Sequence, residues 1–168
     1  MDLRRAIVDD VPLHLIDDAF LLELRSGATM DYLVGKCLNL FTDYICHQPN
    51  DSYYDINVLT EQVASRHPNL TQLRIMDGEH YVNVDTGLYM NACTWQPSSN
   101  IVYCEQLIYE HKINISFFEY DKRIVTASTE YVYNDKKYFI EIDAPSISEA
   151  VCKVVIGKHC NICSIEVD

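Results

Sequence analysis

Residues 151–168 read VCKVVIGKHCNICSIEVD, and how this stretch divides decides the fold. The runs VCKVVI (151–156) and ICSIEV (162–167) are short, apolar and rich in β-branched residues, so they read as two strands meeting at Gly157-Lys158. Just upstream, IVTASTEYVYNDKKYFIEID (124–143) reads as a β-hairpin turning at Asn134-Asp135, and INISFFEYD (113–121) as an alternating strand. AFLLELRS (19–26), short, apolar and bounded by Gly27, reads as a further strand.

Helical spacing dominates the first half. In TMDYLVGKCLNLFTDYICHQPND (29–51), Leu33, Val34, Cys37, Leu38, Phe41, Tyr44 and Ile45 recur on one face until Pro49. DINVLTEQVASRH (55–67) predicts a second helix, capped by Asp51 or Ser52 and stopped by Pro68. A loop-rich middle, 69–94, carries the turn signal Asp77-Gly78. SSNIVYCEQLIYEHK (98–112) predicts a third helix, capped near Ser98 or Ser99, with Ile101, Cys104, Leu107 and Ile108 inward. Helices early and strands late give an α+β class, a central and mostly antiparallel sheet covered by helices, in one domain spanning 1–168.

The 168 residues suffice for a core without staples. A formal net charge of -12 disfavours nucleic acid and anionic membrane, whose phosphates it repels, and no apolar run approaches membrane-spanning length. The seven cysteines, an odd number scattered through apolar segments, read as reduced and mostly buried in a cytosolic setting. The N-x-S/T matches at Asn69 and Asn114 then carry no meaning.

Two chemistries compete for the closing stretch. Cys160-x-x-Cys163 has no second closely spaced pair to complete a zinc site, and on a strand its two thiols would point to opposite faces; no metal or cofactor is expected. His159 and Asn161, two apart on a strand, would share a face, so the amide could orient the imidazole as the base of a cysteine hydrolase. The other histidines (His47, His67, His80, His111) sit beside no partner pattern.

At this point the order of elements resembles a family. His159-Cys160-Asn161 resembles the closing His-aromatic-Asp/Asn element of OTU-type cysteine proteases, and CTWQPSSNIVYCEQLIYEHKINISFFEYD (93–121), with Trp95, resembles their Trp, helix and apolar strand. GKCLNLF (35–41) resembles the nucleophile segment, and HQPNDSYYDINVLTEQVAS (47–65) looks like the next helix of viral OTU domains. The closest resemblance is to the domain opening the large polymerase protein of nairovirus-like negative-strand RNA viruses. It implies a papain-like fold, excised from the N-terminus of a larger viral protein and acting in the host cytoplasm. The implied activity is deubiquitination: cleavage of the Gly-Gly isopeptide bond of ubiquitin, or of an interferon-induced ubiquitin-like modifier, to counter host innate immunity. The family's Gly-Asp-Gly-Asn-Cys loop is replaced by Tyr32-Leu33-Val34-Gly35-Lys36-Cys37, Trp95 is followed by Gln96-Pro97, and Cys160 stands where an aromatic is usual.

Three registers compete for the nucleophile. Cys37 matches Gly-x-Cys and is the only thiol near the right place, although the apolar spacing from Leu33 runs through it. Asp31 or Ala28 could stand in the nucleophile position instead, leaving an inactive OTU fold that only binds ubiquitin or a host factor. In the active reading Cys37 attacks, His159 carries the proton, Asn161 holds its ring, and backbone N–H groups from Gly35 and Lys36 to Cys37 face the oxyanion. Trp95 is placed in the core or the cleft wall.

Overall fold

A computed structural model describes residues 8–47, 78–83, 85, 88–91, 94–118 and 123–168. After a 3-10 turn at Leu13–Leu15 come helices α1 (Asp18–Glu23) and α2 (Ala28–Cys37), then strands β1 (Asp43–His47), β2 (Gly78–Asn83) and β3 (Leu88–Asn91). Helix α3 (Ile101–His111) and strands β4 (Asn114–Phe117), β5 (Val125–Tyr133) and β6 (Lys136–Ala144) follow. Helix α4 (Ile147–Cys160) and strand β7 (Ser164–Val167) close the chain. The class is α+β, as expected. The described strands, however, form two antiparallel sheets, β1-β2-β3 and β4-β5-β6-β7, in place of one central sheet. The helix expected over 55–67 and the turn residue Asp77 lie outside the described residues.

Two expected strands are helices. AFLLELRS holds α1, started by Asp17, whose carboxylate accepts the Phe20 N–H at 2.8 Å. VCKVVI lies inside α4, started by Ser146, whose hydroxyl accepts the Glu149 N–H at 3.2 Å. Ser146-Ile147-Ser148-Glu149 has the capping-box pattern, a helix-start signal that the β-branched run after it hides. An apolar run of that length fits a strand or a helix buried on every side. The second is realised: Ser148 to Gly157 are all buried, because α4 packs on β5 and β6 with α2 and α3 also against it.

Helix α2 stops at Cys37, short of the expected run to Pro49. Its Gly35 carbonyl turns back to accept Leu40 N–H at 2.9 Å, and the Phe41 ring lies where a Gly35 side chain would project. Tyr44 and Ile45 therefore belong to β1. Tyr81 of β2 joins the small sheet to α2, stacking on Tyr32 at 5.4 Å and meeting Phe41 at 4.8 Å. The described parts of the expected loop 69–94 are largely the strands β2 and β3.

The hairpin forms as expected. Asn134 and Asp135 both have positive φ (48° and 62°), matching a two-residue turn that follows the strand twist, and β5 pairs with β6 from Val125–Ala144 to Tyr133–Lys136. Helix α3 is capped by Asn100, which accepts Val102 N–H at 3.0 Å. Its Cys104 and Leu107 point inward, but Ile101 is exposed. Among the described residues, no helix is long and apolar enough to cross a membrane.

Candidate functional site

The residues of the expected triad are drawn toward one place, but not as a triad. Cys37, the last residue of α2, and His159, near the end of α4, both line a cleft of about 330 Å³. Leu38, Val155, Lys158, His111 from the end of α3, and Tyr131, Val132 and Tyr133 from β5 complete its lining. Three helix ends meet there. This geometry opposes thiolate formation at Cys37, since a helix lowers a thiol pKa at its N-terminus, not its C-terminus. Cys37 is also buried, and the neighbouring Cys160 thiol, then burial, pushes its ionisation far up.

Asn161 does not hold the His159 ring. Placing both on a strand is corrected: His159 is helical, and Asn161 is the residue after α4, in the left-handed region at φ 52° and ψ 49°. There the chain turns, with Asn161 N–H bonding to the Lys158 carbonyl at 3.3 Å and Ile162 N–H to that of Gly157 at 2.9 Å. The Asn161 side-chain oxygen accepts from the Tyr131 hydroxyl at 2.7 Å. Asparagine stands here because it tolerates this conformation and ties the helix end to β5.

The alternative nucleophile positions separate. Ala28 opens α2, after Gly27 with φ +153°, and lines a different cleft of about 480 Å³ with Phe20, Glu23, Arg25 and Thr29. Asp31, one turn on, is buried and accepts the Ser98 N–H at 2.7 Å. Burial raises its pKa to about 6, against the lowering effect of the Ser98 bonds. Gly35 and Lys36 lie inside the last turn of α2 rather than in an oxyanion loop. Lys36 pairs with Asp10 at 3.0 Å. Trp95 is a core residue: its indole N–H donates to the Asp31 carbonyl at 2.8 Å, and its ring packs against Tyr103 and Phe41.

The sequence did not single out Lys158 and His111. Lys158 Nζ lies 3.3 Å from His111 Nδ1, so the imidazole nitrogen accepts from the ammonium. Burial lowers the pKa of Lys158 and of His159; burial first, then the Lys158 charge, lowers that of His111. Among the described residues, no Asp or Glu lines the cleft. The basic residues at the helix ends were a readable signal, but cations at helix C-termini are ordinary, so sequence alone could not mark them as a group. The Cys160-x-x-Cys163 pair is also split. Cys160 is the last residue of α4, whereas Cys163 lies beyond it with its N–H bonding to the Asp18 carboxylate at 3.0 Å, so the strand argument for opposed thiols does not apply. No family model, curated protein or solved structure matches this chain.

Proposed function

We propose that this chain is a binding domain whose cleft at the ends of α2, α3 and α4 takes a small ligand with an apolar or aromatic body and one anionic group. One observation carries the reading: the half-buried ammonium of Lys158 has a neutral imidazole as its partner and, among the described residues, no carboxylate within ion-pair distance. A charge taken partly out of water gains most from an opposite charge brought in by a ligand. Leu38, Val132, Val155, Tyr131 and Tyr133 supply apolar walls for the remainder.

Titration with phenyl phosphate and with benzoate, followed by amide and imidazole chemical shifts, tests the reading. Saturable shifts are expected at Lys158, His111, His159 and Tyr131, with Lys158→Met weakening the affinity at least about tenfold, or about 1.4 kcal/mol. Absence of saturable shifts for both probes, or equal affinity in Lys158→Met, overturns it.

A second reading keeps the hydrolase chemistry and has its own support, the presence of Cys37 and His159 in one cleft. In it the chain is an OTU-like viral deubiquitinase, with ubiquitin or a related modifier as partner in the host cytoplasm. A ubiquitin whose C-terminal tail ends in an electrophile discriminates the two. An adduct mapped to Cys37 supports hydrolysis; unmodified protein under conditions where free thiols react supports binding alone.

A further inference from the structure

Lys158 Nζ and His111 Nδ1 lie 3.3 Å apart, one from the last turn of α4 and the other from the last residue of α3. The imidazole accepts from the ammonium at Nδ1 only while its own proton sits on Nε2. Protonated at both nitrogens, His111 would have no lone pair to offer, and two cations would face one another at 3.3 Å. An anion reverses that balance. Two donors this far apart can both reach one oxygen at the charge-assisted distance of about 2.8 Å, or each take one oxygen of a carboxylate. His111 is faced from α4 by Lys158 and His159, from α2 by Cys37, and from β5 by Tyr131 and Tyr133. On its own helix Glu110 precedes it, with Oε1 accepting from Gln106 at 2.9 Å. Burial, and then the Lys158 charge, hold the imidazole neutral in the empty cleft against the weaker pull of Glu110.

We propose that the cleft binds its anion together with a proton from solvent: His111 becomes an imidazolium, and Lys158 Nζ and His111 Nδ1 hold the anionic group between them. The proposal rests on the ligand reading above and makes His111, beside Lys158, a residue that selects for an anion. It also narrows the ligand class to aromatic acids with a compact anionic group, a carboxylate, sulfonate or phosphate, that two adjacent donors can share. A proton taken up on binding makes the affinity rise as the pH falls, because ligand and proton favour one another reciprocally. In the empty cleft His111 titrates below the ordinary 6.5, and the incoming negative charge moves it up. Between those two values a lower pH favours the bound form, and below both the affinity levels off. Leu38 and Val155, on the apolar wall, reduce the screening of the three charges by water.

The test uses the full chain and benzenesulfonate, which stays an anion throughout, so that any pH dependence belongs to the protein. Affinity is measured by chemical-shift titration at pH 5.5 and pH 8, and the His111 and His159 imidazoles are titrated with and without the ligand. Binding should be at least about fivefold tighter at pH 5.5, and the His111 midpoint should move up on saturation. In His111→Gln, whose amide oxygen still accepts from Lys158 but takes no proton, the pH dependence should largely disappear. Asp31 titrates at about 6, in the same range, but it is untouched in that variant, so the comparison isolates His111. Equal affinity at the two pH values overturns the proton coupling and leaves the ligand reading standing. An undiminished pH dependence in His111→Gln overturns the role of His111 and points to His159. If His111→Gln does not fold, the wild-type imidazoles decide, and a His111 midpoint unmoved by the ligand overturns the proposal. Absence of binding at both pH values overturns the ligand reading and the proposal with it.

Discussion

Asp31 shows how one buried carboxyl shapes stability. Its pKa rises from the ordinary 3.8 to about 6 because its site strips away water, while the Ser98 N–H offsets only part of that cost. A carboxyl with a raised folded pKa binds its proton more tightly when folded. The ionisation penalty is therefore absent below pH 4, grows between about pH 4 and 6, and is complete above. The shift corresponds to at most about 3 kcal/mol at neutral pH. Asp31→Asn keeps an oxygen for the Ser98 N–H and removes the charge. Urea unfolding should find it more stable than wild type by about 1–3 kcal/mol at pH 7.5 and no more stable at pH 4. A gain of equal size at both pH values would show that ionisation is not the cause. Cys152, whose raised pKa owes part of its shift to Asp31, is the neighbouring thiol to monitor in the variant. Asn161 teaches a related lesson at the same scale. In the sequence, H-x-N suggested an orienting amide. In the fold its side chain bonds to Tyr131 and its backbone closes a helix.

At the scale of elements, legibility depended on whether the signal was local. The β5–β6 hairpin was readable because Asn134-Asp135 favours the positive φ of the turn and the alternation on either side needs no partner to be seen. Asp135 is serviceable there, but glycine suits φ 62° better. Asp135→Gly should raise stability by about 0.5–1 kcal/mol, measured as a shift in the urea midpoint without change in slope. A lower midpoint would mean that the Asp135 side chain contributes more than its backbone costs. Helix α4 was misread for the opposite reason. Ile, Val and Cys repeated without a polar face look alike in a buried strand and a helix surrounded by protein, and only the neighbours distinguish them. Helix α1 has six residues, too few for a periodic signal, and Asp17 as cap was the one local cue.

Across the whole molecule, the layers meet at α4, and a buried ion pair lies at that junction. Lys153 and Glu149 are almost fully buried, 3.5 Å apart, and Lys153 also donates to the Leu22 carbonyl of α1 at 3.0 Å. Lys153→Met leaves the Glu149 carboxylate without its counter-charge and should cost about 3–5 kcal/mol in thermal or urea unfolding. Adding Glu149→Gln should recover a large part of that loss. A single variant within 1 kcal/mol of wild type would show the pair to be energetically idle.

By itself, the sequence determined the α+β class, the hairpin and its turn, the existence of α2 and α3, strand β4 and the closing strand. Those features rest on residues near one another in the chain, through turn chemistry, capping and short-period alternation. It also fixed the acidic balance of -12. Only tertiary structure decided that α4 is a helix, that the strands divide into two sheets, and that Cys37 ends a helix instead of beginning one. The cleft belongs to the same class of fact. Cys37, His111, Tyr131 and Lys158 come from four elements far apart in sequence, and their shared environment is created by packing around α4. Burial, which sets the pKa directions of the cleft's titratable groups, depends on that three-dimensional enclosure, and no local pattern of residues encodes it.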